Sequence, residues 1–302
     1  MSSLTVAARS RKASKARMLV VDDEPDNLDL LYRTFRREFN VLKAESGQQA
    51  LDILAEQGEV AVIISDQRMP EMKGTEFLSK TVPEFPDTVR IILTGFTDVE
   101  DLVDAINAGR VYRYITKPWD PDELKHVVEQ AAETYDLLKQ RGEAIQLSQN
   151  QHLLVITMAE IAQTSSDLDA ALVAIAQAVQ TVVRSQGCIV HVVSQDELGD
   201  RAGTAGQAST NLIKVDPLVA EAIADKTLKF CPDIAKASAS PAKETYEAAG
   251  VIAHCVAPVI VRDEVTAVLS LQWDTPQMIG NVSQELIKLA AKQAGLTLLC
   301  LS

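Results

Sequence analysis

VAVIISDQRMP, residues 60–70, decides how the first part of this chain folds. Val60 to Ile64 is an unbroken apolar run, closed by Ser65 and the acid Asp66. A short run rich in β-branched residues fits a strand covered on both faces, as in a parallel sheet. Outward from it, RMLVV (17–21) and VRIIL (89–93) are built alike, and NVLKA (40–44) and YRYIT (112–116) read as flanking strands. Polar residues stand where these runs end: Asp22 and Asp23 after the first, Thr94 after VRIIL, Lys117 after YRYIT. In an open α/β sheet the carboxyl ends of the strands share one edge, and ligands bind there. Asp22, Asp23, Asp66, Thr94 and Lys117 are therefore expected to meet in one small pocket.

Clustered carboxylates repel one another, so such a pocket is costly unless a cation joins it. Oxygen ligands with room for water favour Mg²⁺. A carboxylate beside a divalent cation, a lysine and a hydroxyl suits phosphoryl transfer. The positive groups neutralise charge on the phosphoryl oxygens, and an in-line carboxylate acts as the nucleophile, giving an aspartyl phosphate. The plainer alternative is a set of strand-end acids that cap helices or pair with lysines. One acid would read that way; five residues of fitting type and order favour the chemical reading.

Helical segments separate the strands. One begins near Pro25 and carries Leu28, Leu31 and Phe35 on a face; another begins at Ser46 with Ala50, Leu51 and Leu54. A third covers 75–81, and a fourth covers 98–108 with Leu102, Ala105 and Ile106. Pro25 suits a first helical turn, and Gly109 closes the fourth helix. Strands alternating with helices predict an α/β fold, a parallel sheet with helices on both sides.

On these residues, the segment 17–140 resembles the receiver domain of bacterial two-component response regulators. The resemblance implies a flavodoxin-like, doubly wound, parallel five-stranded domain, bounded at 17–122 after a disordered basic tail over 1–16. It implies that Asp66 is the phosphoacceptor and that a histidine kinase is the donor. Asp22, Asp23, Asp66 and the backbone carbonyl of Arg68 then hold Mg²⁺, Asp23 more directly and Asp22 partly through water. Thr94 is the hydroxyl that swings toward the phosphate, Lys117 is the family's lysine with a cis bond to Pro118, and Tyr114 is the aromatic switch. Such a receiver catalyses its own phosphorylation and dephosphorylation and is otherwise not an enzyme.

A length of 302 residues suggests two domains. Hydrophobic content of 47% supports real cores, and 24% charged residues fits a soluble protein. A net charge of −13 argues against general affinity for nucleic acid. No stretch approaches the roughly 18 apolar residues of a membrane span, and MSSLTVAARSRKASKAR lacks the apolar segment of a signal peptide. Cys188, Cys231, Cys255 and Cys300 have no paired spacing, as in a cytoplasmic protein. There is no helix-turn-helix with a basic face, P-loop, HExxH, or kinase or cyclase signature.

From Asp120 to about Ala162 there is no proline after Pro121 and no glycine but Gly142. Leu124, Val128, Ala131, Tyr135, Leu138 and Ile145, then Leu153, Ile156 and Ala159, recur by threes and fours. That is a heptad seam with flaws at Gly142, Gln149 and His152. The favoured reading is a helical, coiled-coil-like linker over 123–162 that joins two subunits in a homodimer. The alternative is one long helix packed on its own domains, kinked near Gly142.

The second domain, 153–302, opens with helical sequence, LLVITMAEIAQ and DLDAALVAIAQAVQTVV, with Asp167 or Asp169 as a cap. CIVHVV and LKFCPDI read as strands around the helix DPLVAEAIADK. VIAHCVAPVIV and VTAVLSLQW pair across the turn RDE, and VSQELIKLAAKQAGLTLLCL closes the chain as an amphipathic helix. Leu198–Asn211 reads as a weak edge with a turn, or as a pocket loop. Helices segregated from an antiparallel sheet make this an α+β domain. The tract AHCVAPVIVRDEVTAVLSLQW and the final helix resemble a GAF domain. GAF domains bind cyclic nucleotides, bilins, haem or other small molecules, and many simply dimerise; fold alone does not choose. His254 precedes Cys255 on one strand, so the two face opposite ways, unlike a bilin site, and the cyclic-nucleotide residues are absent. His191 and His254 each stand alone on an apolar strand and read as core histidines, so the ligand of this domain is unknown.

Three readings remain: a phosphorylation switch whose GAF-like pair binds a downstream protein, a small-molecule sensor, and the front part of a larger kinase, cyclase or phosphodiesterase. Within the first, Arg68 and Phe96 border the path of the water that attacks the acyl phosphate, unless both simply face solvent or a partner. A bulky Phe96 implies a phosphorylated lifetime longer than that of fast chemotaxis-type receivers. Phe96→Ala is then expected to shorten the lifetime of the purified phosphoprotein; an unchanged dephosphorylation rate would remove the role.

Overall fold

The computed structural model describes residues 15–95, 111–236, 243–277 and 280–301. The helix expected over 98–108, Gly109, Phe96 and the basic tail up to residue 14 lie outside the described residues. The chain divides into two compact units, Met1–Glu143 and Ala144–Ser302.

In the first unit the strands are β1 (Arg17–Val21), β2 (Asn40–Ala44), β3 (Val62–Asp66), β4 (Val89–Thr94) and β5 (Arg113–Thr116). They form one parallel sheet in the order β2-β1-β3-β4-β5. Helices α1 (Pro25–Phe35), α2 (Gly47–Gln57) and α3 (Gly74–Thr81) connect them, and α4 (Pro121–Thr164) follows. Ser46 caps α2 by accepting from the Gln49 N–H. Successive strand residues face opposite ways, and here both faces are covered. Met18, Val20, Val62, Ile64, Ile91 and Leu93 pack on α1 and α4. Leu19, Val21, Ile63 and Ile92 pack with Ala50 and Leu54 of α2 and Phe77 and Leu78 of α3. This is why the strands read as continuous apolar runs.

Arg90 interrupts β4 and is buried. Its guanidinium donates to Thr81 Oγ1 (2.8 Å), Thr88 O (2.6 Å) and Phe85 O (2.6 Å), tying down the α3–β4 connection. Burial pulls its pKa down to about 10, against the opposing charge of Glu59.

The helical stretch expected over 123–162 is helix α4, and part of its expected seam packs on the chain's own core. It begins at Pro121, ends at Thr164 and runs as one helix through Gly142. Leu124, Val128 and Ala131, taken as part of an intersubunit seam, are buried with Val127 in the core of the first unit. Their apolar spacing serves the chain's own sheet. At the end of that stretch Lys139 Nζ reaches the carboxylates of Glu59 (2.6 Å) and Asp87 (3.3 Å) over the ring of Tyr135. In the second unit Leu154, Met158 and Ile161 of α4 are the buried face, whereas Leu153 and Ile156 of the expected seam are exposed.

The second unit continues with α5 (Leu168–Val183), β6 (Gly187–Ser194), β7 (Glu197–Gly206), α6 (Thr210–Val215), α7 (Pro217–Asp225), β8 (Lys229–Cys231), α8 (Lys243–Ala249), β9 (Ala253–Val261), β10 (Glu264–Trp273) and α9 (Asn281–Leu301). Asp167 is the cap of α5, accepting from the Ala170 N–H at 2.8 Å. The antiparallel sheet runs β7-β6-β10-β9-β8, and the segment after Leu198 is its edge strand β7. The β9–β10 turn places Arg262 and Asp263 at positive φ, as a tight primed hairpin turn requires. One face of the sheet packs on α5, α9 and the end of α4; the other packs on α6 and α7. Where α5 crosses β7, the backbone comes so close that a Cβ on Gly203 would lie 2.1 Å from the Leu172 carbonyl carbon.

A polar cluster is sealed beneath the helices of that second face. Asp216, which caps α7 through the Leu218 N–H (3.0 Å), also accepts from the hydroxyl of Tyr246 and from His254 Nδ1 at 2.6 Å. His254 Nε2 is hydrogen-bonded to Ser270 Oγ at 2.8 Å, and Gln272 Nε2 donates to the same oxygen at 3.2 Å. Burial alone would push the Asp216 carboxyl up. The hydrogen bonds from His254, Tyr246 and the Leu218 N–H outweigh it and hold the group below the ordinary carboxylate value. Such a group binds fewer protons folded than unfolded. Its stabilisation is present above the unfolded pKa, near ~3.9, and is lost as pH falls toward the folded value. Asp216→Asn is expected to flatten this acid limb and to destabilise the second unit by about 1–3 kcal/mol at neutral pH. Urea melts of the full chain at several pH values, read by Trp273 in a Trp119→Phe background, check both effects.

Candidate functional site

The site lies at the carboxyl edge of the parallel sheet, and register places its members. Val21, which ends β1, is level with Ser65 of β3. Asp66 is level with Leu93 of β4, and Thr94 with Thr116 of β5. Asp22 and Lys117 each follow the last residue of a strand. The connection after β1 runs to β2 and the connection after β3 runs to β4, on opposite sides, so the topology switches between β1 and β3, where open sheets bind their ligands in a crevice at the strand ends.

Lys117 joins two acids in that crevice. Its ammonium is hydrogen-bonded to Asp66 Oδ1 and stands 3.1 Å from Asp22 Oδ2. Asp22 is fully buried and Asp66 nearly so. Asp22 Oδ1 accepts from the Glu24 N–H (2.9 Å) and from Asn27 Nδ2 (3.1 Å), so the start of α1 fixes this carboxylate. Asp66 Oδ2 accepts from the Arg68 N–H at 2.6 Å. Burial pushes the Asp66 carboxyl up; the hydrogen bond and charge of Lys117 and the Arg68 N–H pull it down, Asp22 pushes it up, and the net position is above the ordinary value. For Lys117, burial lowers the pKa, but the bond to Asp66 and the charges of both acids outweigh it and raise it. The Lys117–Pro118 peptide is cis, as the resemblance implied.

The other expected members stand differently. Thr94 is buried, and its hydroxyl donates to the Gly95 carbonyl at 3.1 Å, not to Asp66. Tyr114 is 38% exposed. Asp23 and Arg68 are exposed. Among the described residues no three acidic, histidine or cysteine side chains are gathered in a metal-holding cluster. The donor chemistry still fits a hard divalent cation. Two buried carboxylates against one ammonium leave a net negative charge, and the ligand atoms these two acids offer are oxygen.

Sequence reasoning passed over Asn27 and Gly74. A Cβ on Gly74 would lie 2.1 Å from the Asp66 carbonyl oxygen, so only glycine lets α3 start against the backbone of the acid. The signal was a glycine at the start of a helix, where close approach is a standard reason for it. The second unit's Asp216–His254–Ser270 chain has the order of a hydrolytic triad. His254 and Ser270 are wholly buried, however, and a nucleophile with no exposed surface meets no substrate. Both ring nitrogens of His254 are occupied, so it is a satisfied core histidine.

Fold and site define a doubly wound α/β domain with acids and a lysine at its strand ends, followed by a small α+β module. The response regulator receiver domain family matches residues 18–129, and the GAF domain family matches residues 167–298. The chain is 45% identical over 123 residues to the hydrogenase transcriptional regulatory protein HoxA of Cupriavidus necator, covering 41% of this chain and 25% of that protein. It is 36% identical over 117 residues to a chemotaxis protein CheY homolog of Campylobacter jejuni, covering 37% of this chain and 89% of that one. A solved response regulator receiver domain protein from Clostridium thermocellum is 30% identical, covers 41% of this chain and 98% of that one, and superimposes with a TM-score of 0.39. The chain therefore spans about a quarter of the length of the hydrogenase regulator. It belongs to the response regulator receiver family and carries a GAF domain behind the receiver. No helix among the described residues is long and apolar enough to cross a membrane.

Gly74→Ala is expected to destabilise the first unit by roughly 1–3 kcal/mol through overpacking. It should also slow labelling of Asp66 by displacing its backbone. Thermal melts and the rate of labelling by acetyl phosphate, measured on the same preparation, check the pair of effects.

Proposed function

We propose that this chain is a two-component response regulator in which Asp66 accepts a phosphoryl group from a histidine kinase. The observation that carries this reading is the single ammonium of Lys117 held between the carboxylates of Asp22 and Asp66. Asp66 Oδ attacks phosphorus, the P–N bond of a phosphohistidine breaks, and the departing imidazole takes up a proton. Lys117 already faces Asp66 and neutralises charge where the phosphoryl oxygens arrive. Asp22, Asp23, Asp66 and the Arg68 carbonyl would hold Mg²⁺; when bound, it supplies further charge neutralisation at the transferred group. The charge and oxygen-only donors described above support this, with Asp23 turned in from its exposed position.

The switch follows from what the phosphoryl group would attract. Thr94, bonded to a neighbouring carbonyl, gains a better acceptor, and the exposed Tyr114 of the adjacent β5 has room to reorient. The message leaves through α4, whose first half is a wall of the receiver. Exposed Leu137, Leu138, Ile145, Leu153 and Ile156 on α4 support a homodimer along it and through the GAF domain. That domain then binds or releases a downstream protein. The net charge of −13 disfavours direct contact with nucleic acid, and the chain works in the cytoplasm. Its only chemistry is its own phosphorylation and dephosphorylation.

Acetyl phosphate with Mg²⁺ is expected to label position 66 and nothing else, and Asp66→Asn to abolish the label. Mass in solution should change with beryllofluoride and Mg²⁺ in the wild type but not in Asp66→Asn. Label found elsewhere, or an identical response from the variant, would refute the assignment.

A further inference from the structure

A hollow of about 460 Å³ opens at the edge of the second unit's sheet. β8 pairs with residues 254–256 of β9 only, so β9 runs on uncovered to Val261. Beside that bare stretch the walls are apolar: Leu228 before β8, Pro258 and Ile260 of β9, and Ala291 of α9. Three lysines, Lys226, Lys288 and Lys292, line the same hollow.

Positive charge gathered here is unusual in a chain whose net charge is −13. Lys288 and Lys292 stand one turn apart on α9, a like-charge spacing that works against the helix. Lys226 donates to the Asp263 carbonyl at 2.5 Å, and Lys288 lies 2.8 Å from the Glu285 carboxylate. Lys292 makes no ion pair among the described residues. Exposed pairs such as Lys288–Glu285 are weakly held and yield to a better anion.

We propose that this hollow binds a small organic anion with an apolar body, of the class of medium-chain monocarboxylates. The body lies against Leu228, Ile260 and Ala291, and the carboxylate meets Lys292 and Lys288. The volume lies within the range of small-molecule sites, and apolar walls with a few convergent polar groups are their usual construction. An added peptide strand fits less well, because Pro258, within the uncovered stretch, brings no N–H to pair with it. The hollow is also separate from the polar cluster around His254, which is sealed under the helices.

Isothermal titration of the full chain with octanoate, and with neutral octanamide, tests the proposal. Octanoate is expected to bind at one site per chain and at least tenfold more tightly than octanamide. Lys292→Glu should weaken octanoate at least tenfold. Ile260→Ser, also at a partly exposed position, should weaken both ligands together. Absence of saturable octanoate binding, equal affinity for the amide, or unchanged binding by both variants overturns it.

Discussion

The receiver's site depends on one ammonium placed between two buried carboxylates. Asp22 and Asp66 end neighbouring parallel strands, so the sheet brings them together whether or not their charges tolerate it. Lys117, delivered from the far side of β4 by β5, makes that closeness tolerable. The remaining negative charge is what a divalent cation would offset, leaving positive groups to meet a phosphoryl group. The strand runs and the burial of Asp22 support that one contact. Gly74 and Asn27 add to it by fixing the backbone of one acid and an oxygen of the other.

Much of this was legible because parallel sheets write their sites in a simple way. A run of apolar residues followed by a polar one names both the strand and its functional end, as at Ile64–Asp66 and Leu93–Thr94. The parallel pairing needed only the alternation with helices, whereas the doubly wound arrangement came from the family resemblance. What stayed hidden has physical causes. The side-chain direction of Thr94 and the exposure of Asp23 are rotamer choices, which spacing does not encode. The Asp216–Tyr246–His254–Ser270 cluster joins four elements with no common period. Its trace was only the polar residues His254, Ser270 and Gln272 set in otherwise apolar strands. Arg90 left the same trace in β4.

The long helix is legible as a helix, but its partner is not, for a related reason. A stripe of apolar residues every three or four positions says that a helix has a partner, not which partner. Leu124, Val128 and Ala131 meet the receiver's own sheet, while Leu154, Met158 and Ile161 meet the second core. These two stripes do not form one continuous seam. The residues left over, from Leu137 to Ile156, are fewer than the sequence alone suggested, and they set the surface along which a second copy can be sought.

That shared helix has a consequence for how such a chain could be rearranged into new combinations. A crossover placed at the sequence-based end of the first module, after residue 122, would carry away Leu124, Val127, Val128 and Ala131 and leave a bare hydrophobic wall. The tolerant joint lies past the Lys139 clasp, where the chain passes through Gly142 and polar neighbours. Grafts made there would keep both halves whole, and the turn-by-turn length of the helix between them becomes the quantity to vary.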